Sequence, residues 1–384
     1  MNISFKILSA IKTIFIVFAV ITSLVISHTV LSQENNYENM TNWKIEPSFK
    51  YDALCFLNIL TADTFYLDYY QKEYDKFKPL LIPEVETSLK NIKRILKDEN
   101  GRIISAYLCL YFSAVEDSTL DQMLNTLEDT RKLKTNFEKT PYHDEDSWKL
   151  FESVNHDLKV VLKFLKAINF NDYWKKDILP IVREKINEIK PDLPKYDVIR
   201  ENEEYLGFKL PSNEITVYML YYSQPHGIKI TGTRFLTDVA WPFKIVIRTA
   251  AHEMMHPPYD INNNKKLADA IESLRKDDFL MDKVNNHNPS FGYNSLEGLV
   301  EEDCVQALDQ MINEKFGIAW DAHKRWEIND DGIHVFAVAL YQVMKEENYN
   351  SNHEVFADFL VRMIDSGKLA AGTIKHWHDK FYSN

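Results

Sequence analysis

"TAAHEMMHPPYD" (Thr249–Asp260) sets His252 and His256 four positions apart, places Glu253 beside the first of them, and then stops at Pro257 and Pro258. Upstream, "WPFKIVIRTAAHEMMH" offers Pro242 for a first helical turn and then the apolar run of Phe243, Ile245, Val246, Ile247, Ala250, Ala251, Met254 and Met255. That run has no clear polar face, so it predicts a buried helix. Residues four apart lie one turn apart on one side of a helix, which points both imidazoles the same way and turns Glu253 about 100° from them. Two histidine nitrogens on one zinc ion, with a carboxylate able to reach a water, fit that arrangement. The competing reading is a pair of core histidines. It leaves two imidazoles and a carboxylate in an apolar setting without partners, at a cost of several kcal/mol.

A catalytic zinc takes three protein ligands, so one more must come from elsewhere in the chain. "NSLEGLVEEDCVQALDQMINEKFG" (Asn294–Gly317) reads as a helix beginning near Asn294 or Ser295 and stopping at Gly317. Val300, Cys304, Val305, Leu308, Met311 and Ile312 mark one apolar face. Glu297 and Glu301 fall within it, whereas Glu302 and Asp303 fall outside. Acids on a buried stripe call for a cation or a donor. Glu297 is therefore expected as the third ligand, and Glu301, one turn on, as the carboxylate that orients a ligating imidazole. Asn294-x-x-Glu297 also reads as a capping box, which would account for Glu297 but not for Glu301. Asp260 is a poorer ligand candidate, since two prolines hold the chain extended just before it.

Taken together, "HEMMH" and "LEGLVEE" resemble the gluzincin superfamily of zinc metallopeptidases, in which a second helix supplies a glutamate ligand. The resemblance covers about residues 214–345. It implies His252, His256 and Glu297 as ligands of Zn²⁺, Glu253 as general base, Glu301 as the supporting acid, and a peptide or protein as substrate. Such enzymes commonly use a tyrosine or histidine to stabilise the oxyanion. His334 and Tyr341, seven residues apart in "DGIHVFAVALYQVM", are candidates for it, though an ordinary amphipathic helix explains them equally. Pro257 departs from the pattern: it removes a backbone donor and crowds the carbonyl of Glu253, so the helix must end or bend at His256.

Around this core, Lys50 to about Gly207 reads as helical, with apolar residues at three and four spacing in "VETSLKNIKRILKDENG", "DQMLNTLEDTRKLK", "FESVNHDLKVVLKFLKAI" and "ILPIVREKINEIK". After Pro211, "EITVYMLYYSQ" and "GIKITGTRFLT" are rich in β-branched and aromatic residues and read as strands. Helices are expected again near 265–275, 295–315, 332–347, 353–366 and 370–382. The expected fold class is α+β, predominantly α-helical: a helical N-terminal region over 33–210, then a zincin-like catalytic lobe with a small sheet over 211–384.

Residues 1–32 read as a secretory signal peptide. Lys6 and Lys12 precede an apolar stretch from Ile14 to Ile26, and Val30-Leu31-Ser32 forms a cleavage site before Gln33. The alternative is an uncleaved anchor over Ile14–Leu31. Both place the body of the chain outside the cytoplasm, secreted or periplasmic in the first case and membrane-anchored in the second. The formal net charge of −12 gives no footprint for nucleic acid. Cys55, Cys109 and Cys304 are too few and scattered for a disulfide framework. Two other function classes remain beside the peptidase: a binding or scaffold protein with a structural zinc, which would need no Glu253, and a zinc hydrolase of a non-peptide bond.

Overall fold

Asn42–Pro47 forms a strand, β1, that runs parallel to β2 (Glu214–Leu220), with Asn42 opposite Glu214 and Pro47 opposite Met219. The computed structural model describes residues 41–383 except 289, 290, 292 and 351–353, and these belong to one compact unit. The expected signal peptide at 1–32 lies outside the described residues. None of the described helices is long and apolar enough to cross a membrane.

Between the two strands, α1 (Phe49–Leu60) is buried along its whole length. α2 (Thr64–Phe77) and α3 (Ile104–Phe112) pack beside it. Burial of α1 extends to its polar residues, which must therefore be satisfied internally. Asp52 Oδ1 accepts from the amides of Tyr221 and Tyr222 at 2.8 and 3.0 Å, and its Oδ2 accepts from Trp174 Nε1 at 2.7 Å. Burial raises the Asp52 carboxyl to about 7 against those donors. Lys50 Nζ donates to the carbonyls of Phe112 and Val115 at 3.0 and 2.8 Å. The boundary expected at 210/211 thus falls within one packed unit. β1 belongs to the sheet, and Asp52 holds the backbone just past β2.

The stretch expected as one strand after Gly227 makes two, β3 (Ile228–Ile230) and β4 (Arg234–Asp238). They pair antiparallel across a turn in which Gly232 takes a positive φ of 72°, a backbone region that other residues avoid. β4 also runs parallel to β2, giving the order β1-β2-β4-β3. The sheet is mixed and β3 is an edge. Along β3, Ile228 and Ile230 are buried and Lys229 points to the other side.

The remaining elements needed for the site are α4 (Phe243–Glu253), α5 (Leu296–Lys315) and α6 (Val335–Glu346). Later helices lie at Lys265–Ser273, Phe356–Asp365 and Ile374–Tyr382, close to their expected places, and further ones at Asp278–Asn286 and Ala322–Ile328 were not legible from spacing. The protein is mostly helical around a small mixed sheet. Cys55, Cys109 and Cys304 are buried free thiols.

Candidate metal centre

α4 starts after Pro242, which serves as its N-cap, and ends at Glu253. The helix thus ends three residues before the expected His256; Pro257 supplies no amide for a further turn, and its ring also disfavours helical backbone at His256 itself. Met254 N still bonds to Ala250 O at 3.0 Å, and Met255 N turns back to His252 O at 3.0 Å. His256 therefore stands on a turn beyond the helix. Its ring nonetheless faces that of His252, with centroids 5.0 Å apart. Groups from the N-terminal half hold this turn in place: Asn202 Nδ2 donates to Ala251 O at 2.9 Å, and Tyr142 Oη to His256 O at 3.2 Å.

His252 Nε2 and His256 Nε2 lie 3.2 Å apart. Glu302 closes the triangle, with Oε1 3.7 Å from His252 Nε2 and Oε2 3.5 Å from His256 Nε2. This group of two histidines and a buried glutamate can hold a metal ion. Tetrahedral zinc with bonds of about 2.0–2.2 Å puts neighbouring donors about 3.3–3.6 Å apart. The two imidazole nitrogens are at that spacing, and a Glu302 oxygen lies within 4.8 Å of both, so three ligands and a fourth position for water or substrate can be supplied after a small side-chain adjustment.

The third member of the group is thus Glu302 and not Glu297. Ser295 caps α5 by accepting from Gly298 N at 3.1 Å, which places Glu297 in the first turn. There its side chain is 43% exposed and pairs with Arg275 Nη2 at 2.8 Å, whereas the Glu302 side chain is only 10% exposed. The expectation failed because α5 is buried almost all round. Glu302, Gln306, Asp309 and Asn313 form a second stripe at helical spacing, and all four are buried. A polar stripe on a helix reads as solvent-facing, but here it faces α4 and the segment carrying Arg325. No capping box forms at Asn294, since the cap is one residue on.

Both imidazoles have a carboxylate behind them. Glu301 Oε1 lies 3.5 Å from His256 Nδ1, where the sequence placed a supporting acid. His252 has a closer partner that sequence reasoning missed, Asp309 Oδ2 at 2.8 Å from Nδ1. Arg325 grips both oxygens of Asp309 and, outweighing burial, holds its carboxyl below the usual range. Burial disfavours charge on His252, but the fields of Glu302 and Asp309 prevail and raise its pKa to about 9.

Glu253, the expected base, is buried on the face of α4 that meets the strand edge. A Cβ built on Gly227 would lie 3.4 Å from Glu253 Oε1 and 2.5 Å from Thr249 Cγ2, so only glycine lets the strand approach this closely. Lys229 Nζ lies 3.9 Å from Met254 Sδ, and burial lowers its pKa to about 8 against the pull of Glu253.

His334 and Tyr341 serve other purposes. His334, 1% exposed, sits as N-cap of α6 with Nδ1 2.6 Å from Asp303 Oδ1 and Nε2 3.0 Å from both Asp330 Oδ2 and Gln306 Nε2. Asp303 Oδ2 also accepts from the amides of Phe336 and Ala337, each at 3.0 Å, so this pair joins α5 to the start of α6. Tyr341 donates to Glu314 Oε1 at 2.6 Å and packs against Trp326. Asp260 bonds to Asn263 within its own loop. Comparison with protein-family models, with curated proteins and with solved structures finds no match to this chain.

Proposed function

We propose that the protein is a zinc-dependent peptidase of zincin-like architecture, acting outside the cytoplasm, with His252, His256 and Glu302 as the metal ligands and Glu253 as general base. The observation that carries this reading is that His252 Nε2, His256 Nε2 and a Glu302 carboxylate oxygen all lie within 4.8 Å of one another, with the further carboxylate of Glu253 near enough to act on His252. A purely structural zinc needs no such base.

A bound zinc ion would polarise the scissile carbonyl and make water easier to deprotonate. The chain's own groups do the rest. Glu253 accepts a proton from the attacking water and delivers it to the departing amine nitrogen. Asp309 and Glu301 fix the directions of the two imidazoles. β3, an edge strand running past Gly227 and Lys229 beside Glu253, offers backbone groups on which an extended peptide can lie.

The test is to purify the protein, measure bound metal, and follow cleavage of a mixed peptide pool by the wild type and by Glu253→Gln. Stoichiometric zinc and hydrolysis that disappears in the variant support the reading. Zinc without any peptide cleavage would move it to a structural metal or to a different bond.

A further inference from the structure

A cavity of about 340 Å³ opens between the start of α2, the turn leading into α3, and the segments that carry His226 and Tyr293. Two of its walls lead toward the site. His226 precedes Gly227, the residue packed against Glu253. Tyr293 lies against His334 with ring centroids 5.6 Å apart, and its hydroxyl is pushed well above the phenol range by burial and by the charges of Glu302, Asp330, Asp303 and Glu253. These two residues connect the cavity to the surroundings of Glu253.

The polar groups of the lining are already partnered. His226 Nε2 meets Tyr66 Oη at 3.0 Å, and burial lowers the pKa of His226 to about 4, leaving the ring neutral. Asn58 Nδ2 donates to Ser105 Oγ at 2.8 Å, Lys97 is bound to Asp63, and Asp330 to His334. What the cavity presents is ring and aliphatic surface from Phe65, Tyr66, Tyr293, Ile103 and Ile104, with the exposed Arg102 at its rim. A charged guest would find few open partners there, whereas a ring would find faces and edges to pack on. The volume lies at the small end of the range of about 300–1,000 Å³ for ligand pockets, enough for one large side chain and not for a folded segment.

Resting on the peptidase reading above, we propose that this cavity selects substrates by accepting an aromatic side chain next to the scissile bond. Ile103 is the residue at which it can be filled, and Phe65, 45% exposed, is one that can be removed with little risk to the core.

The experiment compares alanine-based peptides carrying one phenylalanine at scanned positions with their all-alanine parent, using wild type, Ile103→Trp and Phe65→Ala, with cleavage sites read by mass spectrometry. Binding of N-acetylphenylalaninamide to the zinc-free wild type and to zinc-free Ile103→Trp is followed by saturation-transfer NMR. The expected wild-type result is a kcat/KM preference of about tenfold or more for phenylalanine at one flanking position. Ile103→Trp should bring that ratio toward one and abolish amide binding, and Phe65→Ala should reduce the ratio several-fold. An unchanged ratio in both variants, or no aromatic preference in the wild type, overturns the proposal. If the wild type cleaves no peptide, the peptidase reading falls instead. Amide binding then decides the cavity alone: binding that Ile103→Trp removes supports it as an aromatic site, and no binding overturns it.

Discussion

His252 Nδ1 and Asp309 Oδ2 lie 2.8 Å apart, and this bond turns the other nitrogen of His252 toward His256. Arg325 holds Asp309 from behind, so the direction of the ligand is set by a chain of three charged groups running from the Ala322–Ile328 helix through α5 to α4. Asp309→Asn should therefore weaken zinc affinity by about 10–100-fold without unfolding the protein. Competition against a chelator of known affinity measures this. Affinity equal to wild type would show that the bond does not position the ligand.

The two carboxylates at 297 and 302 give opposite expectations. Glu302→Ala removes one corner of the donor triangle and should lose most of the bound zinc. Glu297→Ala removes only a half-exposed ion pair with Arg275 and should keep both metal and stability within about 0.5 kcal/mol of wild type. Metal analysis after dialysis separates them, and loss of zinc in Glu297→Ala with retention in Glu302→Ala would reverse the assignment.

Much of this was legible in the chain and some was not, for identifiable reasons. His-x-x-x-His spacing and the apolar periodicity of the later helices follow from local geometry, and they brought the two histidines into one group that can hold a metal ion. The third position depends on which way α5 is rotated against α4, and burial on nearly every side removes the contrast between faces that would reveal it. The spacing of Glu302, Gln306, Asp309 and Asn313 was the available signal, four polar residues at i, i+4, i+7 and i+11. β1 was lost for a similar reason. Its partner β2 lies far along the chain, and a parallel pairing leaves no local turn to announce it.

His334 should make a pH-dependent contribution to stability. Burial alone would lower its pKa, but Asp303, Asp330 and Glu302 raise it to about 10, above the unfolded value of 6.5. A group that binds its proton more tightly when folded stabilises fully below the unfolded pKa and loses that contribution as pH rises through the folded one. The stability advantage of zinc-free wild type over His334→Gln should therefore be largest below pH 6.5 and shrink steadily toward pH 10. Denaturant titrations across that range check it. An advantage that stays constant or grows with pH would contradict the imidazolium form.

Glu253→Gln should keep the fold and the metal while removing nearly all hydrolysis. The side chain stands beside the first histidine but outside the donor triangle, so its loss opens no position on the metal. It is also buried against Gly227, which leaves room for glutamine, of nearly the same shape, and for little else. Glutamine can still hydrogen-bond a water but cannot take its proton, so the change isolates proton transfer from binding and packing. General-base catalysis contributes about 10²–10⁴-fold, and the loss should approach the upper figure because the same carboxylate also aligns the water. The effect should appear in kcat with KM little changed, since ground-state contacts along β3 are untouched. A variant that retains zinc and hydrolyses peptides at close to the wild-type rate would show that another group accepts the proton. Lys229 would then be the next residue to test, being the titratable side chain on the strand edge that faces Glu253.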